Sequence, residues 1–457
     1  VTNTKNSLFL PTIEPTTAFV FLGIVFGGLF VFLTPPFGVP DEKEHLYRAF
    51  QVSEGQLLAG KHEGKLGGFL PVSLQKCANL VPYLHDRKSK IKPEEIWKLF
   101  EVPLNSKDRG FLRFRYGRYS LVPYIPQSAG IGLGRLLALP PIALLYLGRM
   151  TNLVFWIVLV WSAIKITPIF KWVFLLLALT PMSIYMAASL SADCPTNALA
   201  FLATALFLNC AFREDNPIRR IDILVILLVT VCLSLSKVAY FPMTLMYLFI
   251  PAGRVGSTKK FLALFALLLF VNVAVAAAWN LSVTDLAALS SRPDDPARQI
   301  ELIRSDLSAF LLVLLRTIRC FYYFLAKSFI GILGIHDQHL PQGHPELWGL
   351  LLLAVALIES KQNVSVGIKT KLISAFIILA TVLVILTLTY IYWCPVGHNI
   401  VVGVQGRYFI PLGPLLLLLF YNNKLKLQDK SLPLFLVLCT IISLAVSLNT
   451  VINRFYW

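Results

Sequence analysis

Two runs, TTAFVFLGIVFGGLFVFLT (residues 16–34) and KFLALFALLLFVNVAVAAAWNL (260–281), constrain this chain more than anything else in it. Each is long enough to cross the hydrocarbon core of a bilayer as a helix, which takes about 20 apolar residues. Lipid offers no water to the peptide groups, so such runs must close their own hydrogen bonds as helices. Composition extends the inference to the rest: of 457 residues, 56% are hydrophobic and 14% charged, with a mean hydropathy of +0.70. A soluble domain does not carry that excess. The expected fold is an all-α polytopic membrane protein.

A net charge of +17 and a pI near 9.6 would suggest nucleic acid as a partner of a soluble protein. Here Lys and Arg recur in short loops between apolar runs, which cannot build a duplex-binding groove, so no nucleic-acid partner is expected. The same loops orient the chain, because short basic loops stay cytoplasmic whereas long loops cross regardless of charge. REDNPIRR (213–220), GRVGSTKK (253–260), KQNVSVGIKTK (361–371) and NKLKLQDK (423–430) are therefore placed in the cytoplasm. The N-terminus starts inside, and 16–34, read as an anchor rather than a cleaved signal, carries the chain out. Residues 35–140 form a large outer loop with juxtamembrane helices, and 282–346 a second outer segment. Spans near 142–165, 171–188, 195–212, 221–236, 239–253, 261–281, 347–359, 372–393, 408–422 and 433–450 bring the expected crossings to eleven.

Within the second outer segment, LSAFLLVLLRTIRCFYYFLAKSFIGILG (307–334) contains Arg316, Arg319 and Lys327. Three cations are costly in one lipid-facing span, so this segment is predicted to be an interfacial or protein-buried helix. The threading puts all seven histidines on the outer side. The cysteines show no pairing pattern: Cys210, Cys232, Cys320 and Cys439 lie in apolar runs, where free Cys behaves as a small hydrophobe.

Chemistry-bearing residues gather on that same side. PDEKEH (40–45) directly follows the first span. Carboxylates there suit a helix N-terminus, where free N–H groups and the macrodipole favour them. Asp41 and His45, four apart, also share a helix face, and a carboxylate just outside the membrane can act as a general base toward a hydroxyl or hold a divalent ion. Lys237 in SKVAYFP, with Tyr240, is either a snorkelling lysine or a cation for an anionic lipid headgroup. Arg407 in GVQGRYFIP, with Gln405 and Tyr408, has the two-toothed geometry of a phosphate clamp or is an interfacial belt residue. Asp193 either caps the helix that follows it or supplies a second carboxylate to acceptor or metal. His336, Asp337 and His339 are zinc-ligand types, but their spacing matches no strong pattern and a wet loop is favoured. RFRYGRYSLVPYIPQSAGIGLGRLL (113–137) begins with Arg113, Arg115 and Arg118 and then turns apolar, an amphipathic profile suited to lying among headgroups; its Tyr116, Tyr119 and Tyr124 are candidates to stack on a sugar or line the lipid's entry, or are ordinary interface aromatics.

PPFGVPDEKEHLYRAFQVSEGQL, YSLVPYIPQSAGIGLGRLL, PMSIYMAASLSAD, SKVAYFP, GILG and GVQGRYFIPLGPLL occur in this order along nearly the whole chain. In this the chain resembles the bacterial membrane family called domain of unknown function 2142. That family is similar to the C-type glycosyltransferases, such as protein O-mannosyltransferases and the lipid A aminoarabinose transferase. The resemblance implies an outward-facing transferase of the bacterial cytoplasmic membrane, moving sugar with inversion from a polyprenyl-phosphate donor to a glycan or glycolipid hydroxyl. It implies Asp41 as base or metal-side carboxylate with Glu42 beside it. His45 or Glu42 would support Asp41, and Arg407, Lys237, Gln405, Tyr408 and Tyr240 would surround the donor phosphate. A transporter of lipid-linked sugars is the alternative; it would need the phosphate site without the base.

Overall fold

The computed structural model describes residues 13–213, 218–286, 295–361, 364–425 and 430–457. The N-terminal residues expected in the cytoplasm, and parts of the loops 213–220, 361–371 and 423–430, lie outside the described residues.

Seven helices among the described residues are long and apolar enough to cross a bilayer. They are α1 (Pro15–Leu33), α3 (Pro141–Ile166), α4 (Asp193–Phe212), α6 (Thr258–Ser282), α7 (Leu307–Ile330), α8 (Ile368–Trp393) and α9 (Leu432–Phe455). Between them stand α2 (Glu42–Ser53) and α5 (Arg220–Ser236). α4 is the centre of the bundle, with 89% of its apolar window buried, whereas α6 and α8 bury 17% and 28%. Leu267, Phe270, Val273, Phe376 and Leu379 are exposed on those outer helices. An apolar exterior around a buried polar centre is what a lipid solvent requires.

The count of eleven crossings is not reproduced by long helices. Residues 171–188 fold as two short helices, Lys171–Ala178 and Pro181–Ala187, separated where Pro181 removes a backbone donor. Residues 238–249 and 406–412 are 3-10 helices containing Pro242 and Pro411. Runs of 3-10 helix beyond three or four residues are uncommon and often mark functional stretches. The run expected as 347–359 is the short helix His344–Ile358.

The segment between α1 and α3 caps one end of the bundle. Its three strands, β1 (Gly60–His62), β2 (Lys65–Pro71) and β3 (Arg109–Arg113), pair antiparallel in that order. α2 packs against the Ile125–Leu136 helix, where the Ser128 hydroxyl donates to Ala49 O at 2.9 Å and Arg135 to Ser53 O at 2.7 Å. Pro35 and Pro36 follow α1 at once and prevent its continuation, so the chain turns sharply into α2.

That turn is fixed by one arginine of α3. Arg149, fully buried, donates to Val31 O at 2.9 Å and Thr34 O at 2.6 Å, satisfying carbonyls that the end of α1 leaves unpaired, and joins the Gly38 N–H on Pro35 O at 2.9 Å. It also grips Glu42 through two bonds of 2.8 and 2.6 Å, and Leu190 N donates to the same carboxylate at 3.2 Å. The start of α2 is thereby bolted to α1, α3 and the chain before α4.

α7 departs from its length-based appearance. Before it, Gln299 bonds Tyr390 O and Gly397 N at the capped end of α8; within it, Thr317 Oγ1 accepts from Val401 N at 2.7 Å. Just beyond its C-terminus, Gly334 O accepts from Tyr185 OH, which also donates to Gly38 O beside α2. Both ends of α7 thus sit at the capped end, and the helix lies across it rather than through the bundle. Of the two placements the sequence allowed, protein-buried is overturned: only 22% of its apolar window is buried, with Arg316 and Arg319 exposed.

Candidate functional site

Asp41 occupies the N-cap position of α2 in a left-handed conformation, φ 59°, yet its side chain caps nothing. A non-glycine residue held at positive φ stores strain that the surroundings must impose, and such residues cluster at functional sites. The carboxylate instead turns away from its own helix. Oδ2 accepts from the Tyr116 hydroxyl at 2.6 Å and Oδ1 from Arg115 Nη2 at 3.4 Å. Arg115 is itself held by Glu44, from its backbone N–H at 2.8 Å and its guanidinium at 2.8 Å. The ordinary helix-start explanation therefore does not describe Asp41.

Burial works against charge on Asp41, but the Tyr116 hydrogen bond and the fields of His45, Arg407 and Arg115 outweigh it and hold its pKa below the usual value. His45 lies behind this group. Its ring stacks on Tyr116 at 4.4 Å between centroids and its Nδ1 meets the Tyr124 hydroxyl at 2.9 Å. Burial pushes its pKa down to about 4 against the opposing pull of Asp41, so the ring is neutral at physiological pH.

A second cluster joins three distant segments. The Asp193 carboxylate is paired with the Lys237 ammonium and lies 3.3 Å from Arg407 Nε. That second contact is at ion-pair distance but out of line for a hydrogen bond, and Arg407 Nη1 rests 3.2 Å from the Met186 sulfur. Lys237 and Arg407 each immediately precede or begin one of the proline-containing 3-10 helices, which explains how two separate apolar runs bring their cations to one point. The Tyr408 ring stands 5.1 Å from Lys237 and 5.6 Å from Arg407, and Tyr240 OH donates to Tyr408 O at 2.8 Å.

Between the clusters is a cavity of about 340 Å³. Asp41, Lys237, Tyr240, Gln405 and Tyr408 line it together, so five residues singled out from separate motifs converge. Arg407 and Asp193 stand behind Lys237, and Glu42 and His45 behind Asp41; none of these four lines the cavity. The Gln405 amide oxygen is buried with no partner among the described residues.

The aromatic and cationic rim brings in Tyr116 and Tyr119, candidates for sugar or lipid contact in the sequence, and adds Arg115, Arg118, Trp279, Tyr392 and Trp393, which the sequence did not assign to the site. Arg118 lies 4.1 Å over the Tyr392 ring and Arg115 5.5 Å from that of Trp393. The RFRYGRY spacing carried the signal, as basic and aromatic residues in alternation, but it also fits a headgroup-zone segment. One wall is apolar, from Leu235, Val238, Ala276, Ile385 and Leu388. α6 contributes Ala276 and α8 Ile385 and Leu388 to this wall without packing closely on each other, and both leave most of their apolar windows exposed.

The donor set does not suit a divalent ion. Among the described residues no three His, Cys, Asp or Glu side chains gather as ligands. Asp41 and Asp193 both face cations, and Asp337 accepts from Arg454 Nε at 2.5 Å rather than joining His336 and His339. All seven cysteines are free.

No curated protein and no solved structure matches the chain. Residues 24–416, from within α1 to the end of the Arg407 segment and beyond, match the family described as "Predicted membrane protein (DUF2142)". Every residue of both clusters falls inside that match, and the chain belongs to this family.

Proposed function

We propose that the protein is a membrane glycosyltransferase that takes a sugar from a polyprenyl-phosphate donor and passes it, with inversion, to a hydroxyl of a glycan or glycolipid acceptor on the outer face of a bacterial cytoplasmic membrane. The observation that carries this reading is the composition of one cavity: a carboxylate, cations and an aromatic rim on one side, an apolar wall between two lipid-exposed helices on the other. A lipid-linked sugar phosphate has the same division into hydroxyls, anion and hydrocarbon.

In this scheme the prenyl chain lies against Ile385, Leu388 and Ala276, and the phosphate meets Lys237, Arg118 and Arg115. Aromatic faces stack on the sugar, and the unpaired Gln405 oxygen accepts from one of its hydroxyls. The acceptor hydroxyl donates to Asp41. Its oxygen forms the new bond at the anomeric carbon while the bond to phosphate breaks, and the electron pair leaves with the polyprenyl phosphate. The hydroxyl proton passes to Asp41 late in the step, as the low pKa of a carboxylate held by Tyr116 requires. Charge developing on the phosphate is stabilised by the cations.

Arg407 and Asp193 act as positioning residues: the carboxylate neutralises part of the charge of two neighbouring cations and fixes Lys237. Glu42 holds the strained turn through Arg149, and neutral His45 orients Tyr116. The described residues do not provide a metal set, and the chemistry above rests on side chains alone.

The test is purified protein in lipid nanodiscs incubated with a panel of polyprenyl-phosphate sugars and acceptor glycans, scoring released polyprenyl phosphate together with sugar transfer. Release coupled to transfer supports the reading. Tight donor binding without release across the panel would instead favour a transporter of lipid-linked sugars.

A further inference from the structure

The helix that lies across the capped end has an external face that the cavity does not use. On α7, Phe310, Val313, Leu314 and Thr317 face inward. Leu311, Leu315, Ile318 and Tyr322 form an exposed apolar row at helical spacing. Beside it runs a second row, Arg316, Arg319, Tyr323 and Lys327. Lys327 pairs with Glu346 at 3.7 Å, but no carboxylate meets Arg316 or Arg319 among the described residues.

We propose that α7 lies in the headgroup layer as an anionic-phospholipid binding helix, with Arg316 and Arg319 on lipid phosphates and the apolar row dipped into the acyl chains. The geometry calls for an interfacial setting. A helix buried on one side, greasy on the next and cationic on the third matches protein, acyl chain and headgroup in turn. Its length would otherwise let it span, but the chain on either side of it is tied to the capped end of the bundle, through Gln299 before it and Gly334 after it. A spanning course would also leave two unpaired guanidinium groups near mid-bilayer. Anionic headgroups are the occupant that charge complementarity selects, each basic side chain near such a surface being worth a factor of about five in affinity. The inference concerns lipid and does not depend on the transferase reading.

The same helix also braces the cavity from behind. Ser328 Oγ accepts from Gly406 N at 2.7 Å and Thr317 Oγ1 from Val401 N at 2.7 Å. A side chain at position 406 would collide with Leu325 O and Phe329 N, so this contact needs glycine.

The test uses Cys320, which is exposed on α7 beside the arginines. With the half-buried Cys232 and Cys439 replaced by Ala, bimane is attached at Cys320 in the full chain in nanodiscs. Quenching is then read with brominated phosphatidylglycerol or brominated phosphatidylcholine at equal mole fraction. Bromines near the headgroup should quench more than bromines at the chain ends, and phosphatidylglycerol should quench several-fold more effectively than phosphatidylcholine. Arg316→Gln with Arg319→Gln should equalise the two lipids while gel filtration shows the protein unchanged. Equal quenching in the unmodified helix overturns the proposal. So does strongest quenching from the chain ends, which would mean a spanning helix, or none from either lipid, which would mean a protein partner covers this face.

Discussion

Replacing Arg149 by Met offers the most quantitative check on how the strained start of α2 is held. The pair it removes is fully inaccessible on both sides, with two bonds of 2.8 and 2.6 Å to Glu42. Breaking a buried ion pair by removing one partner costs about 3–5 kcal/mol, because the remaining charge is left in a medium that cannot solvate it. The carbonyls of Val31 and Thr34 lose their donor as well, each worth on the order of 1 kcal/mol. Arg149→Met should therefore lower stability by roughly 5 kcal/mol. Glu42→Gln should cost less, since the amide can still accept from Leu190 N and Arg149 keeps its carbonyls. The double variant removes the stranded charge, so a double-mutant cycle should return a coupling of about 3 kcal/mol. Denaturant unfolding in mixed micelles, followed by circular dichroism, reads all four forms. An Arg149→Met protein within about 1 kcal/mol of the original, or a cycle with no coupling, would refute the claim that this pair fixes the turn.

Three further outcomes follow from the same geometry. His45 is depressed to about 4 when folded but titrates near 6.5 when unfolded. The unfolded state thus binds more protons in that window, and stability is expected to fall as pH drops through it, by about 2 kcal/mol between roughly pH 7 and pH 5. His45→Gln should flatten that dependence in melts at the two pH values. Tyr116→Phe removes the largest interaction that lowers the Asp41 pKa, so the acid limb of the pH–rate profile should move to higher pH, whereas an unmoved limb would separate Asp41 from the rate. Gly406→Ala should disturb the Gln405–Tyr408 wall and weaken polyprenyl-phosphate binding at least several-fold by calorimetry, with the far-UV spectrum unchanged.

Much of the architecture could be read from apolar runs, because a span must satisfy its own backbone and leaves little choice of structure. Three of the expected crossings that long helices do not reproduce share a cause: residues 171–188, 239–253 and 408–422 are apolar enough, but Pro181, Pro242 and Pro411 break or retune the helix inside them. α7 shows the converse: it is long and apolar enough to span, and only Arg316, Arg319 and Lys327 set it apart in the sequence. At the site, Asp41 and Glu42 are neighbouring acids at one helix start and look interchangeable in sequence. What separates them is Arg149, distant in the chain and hidden in an apolar run, which engages Glu42 and leaves Asp41 to the cavity. The meeting of Asp193, Lys237 and Arg407 was equally invisible, although each had stood out singly as a polar residue beside a span.

The central claim is that Asp41 takes the acceptor proton in a cavity that holds the donor through separate cations. The most direct measurement compares the original protein with Asp41→Asn in nanodiscs. It follows polyprenyl-phosphate release and sugar transfer, with donor affinity measured alongside. Transfer should fall by about two orders of magnitude or more, the contribution of a positioned base, with donor affinity nearly unchanged. An Asp41→Asn protein that releases polyprenyl phosphate and transfers sugar at the original rate would contradict it.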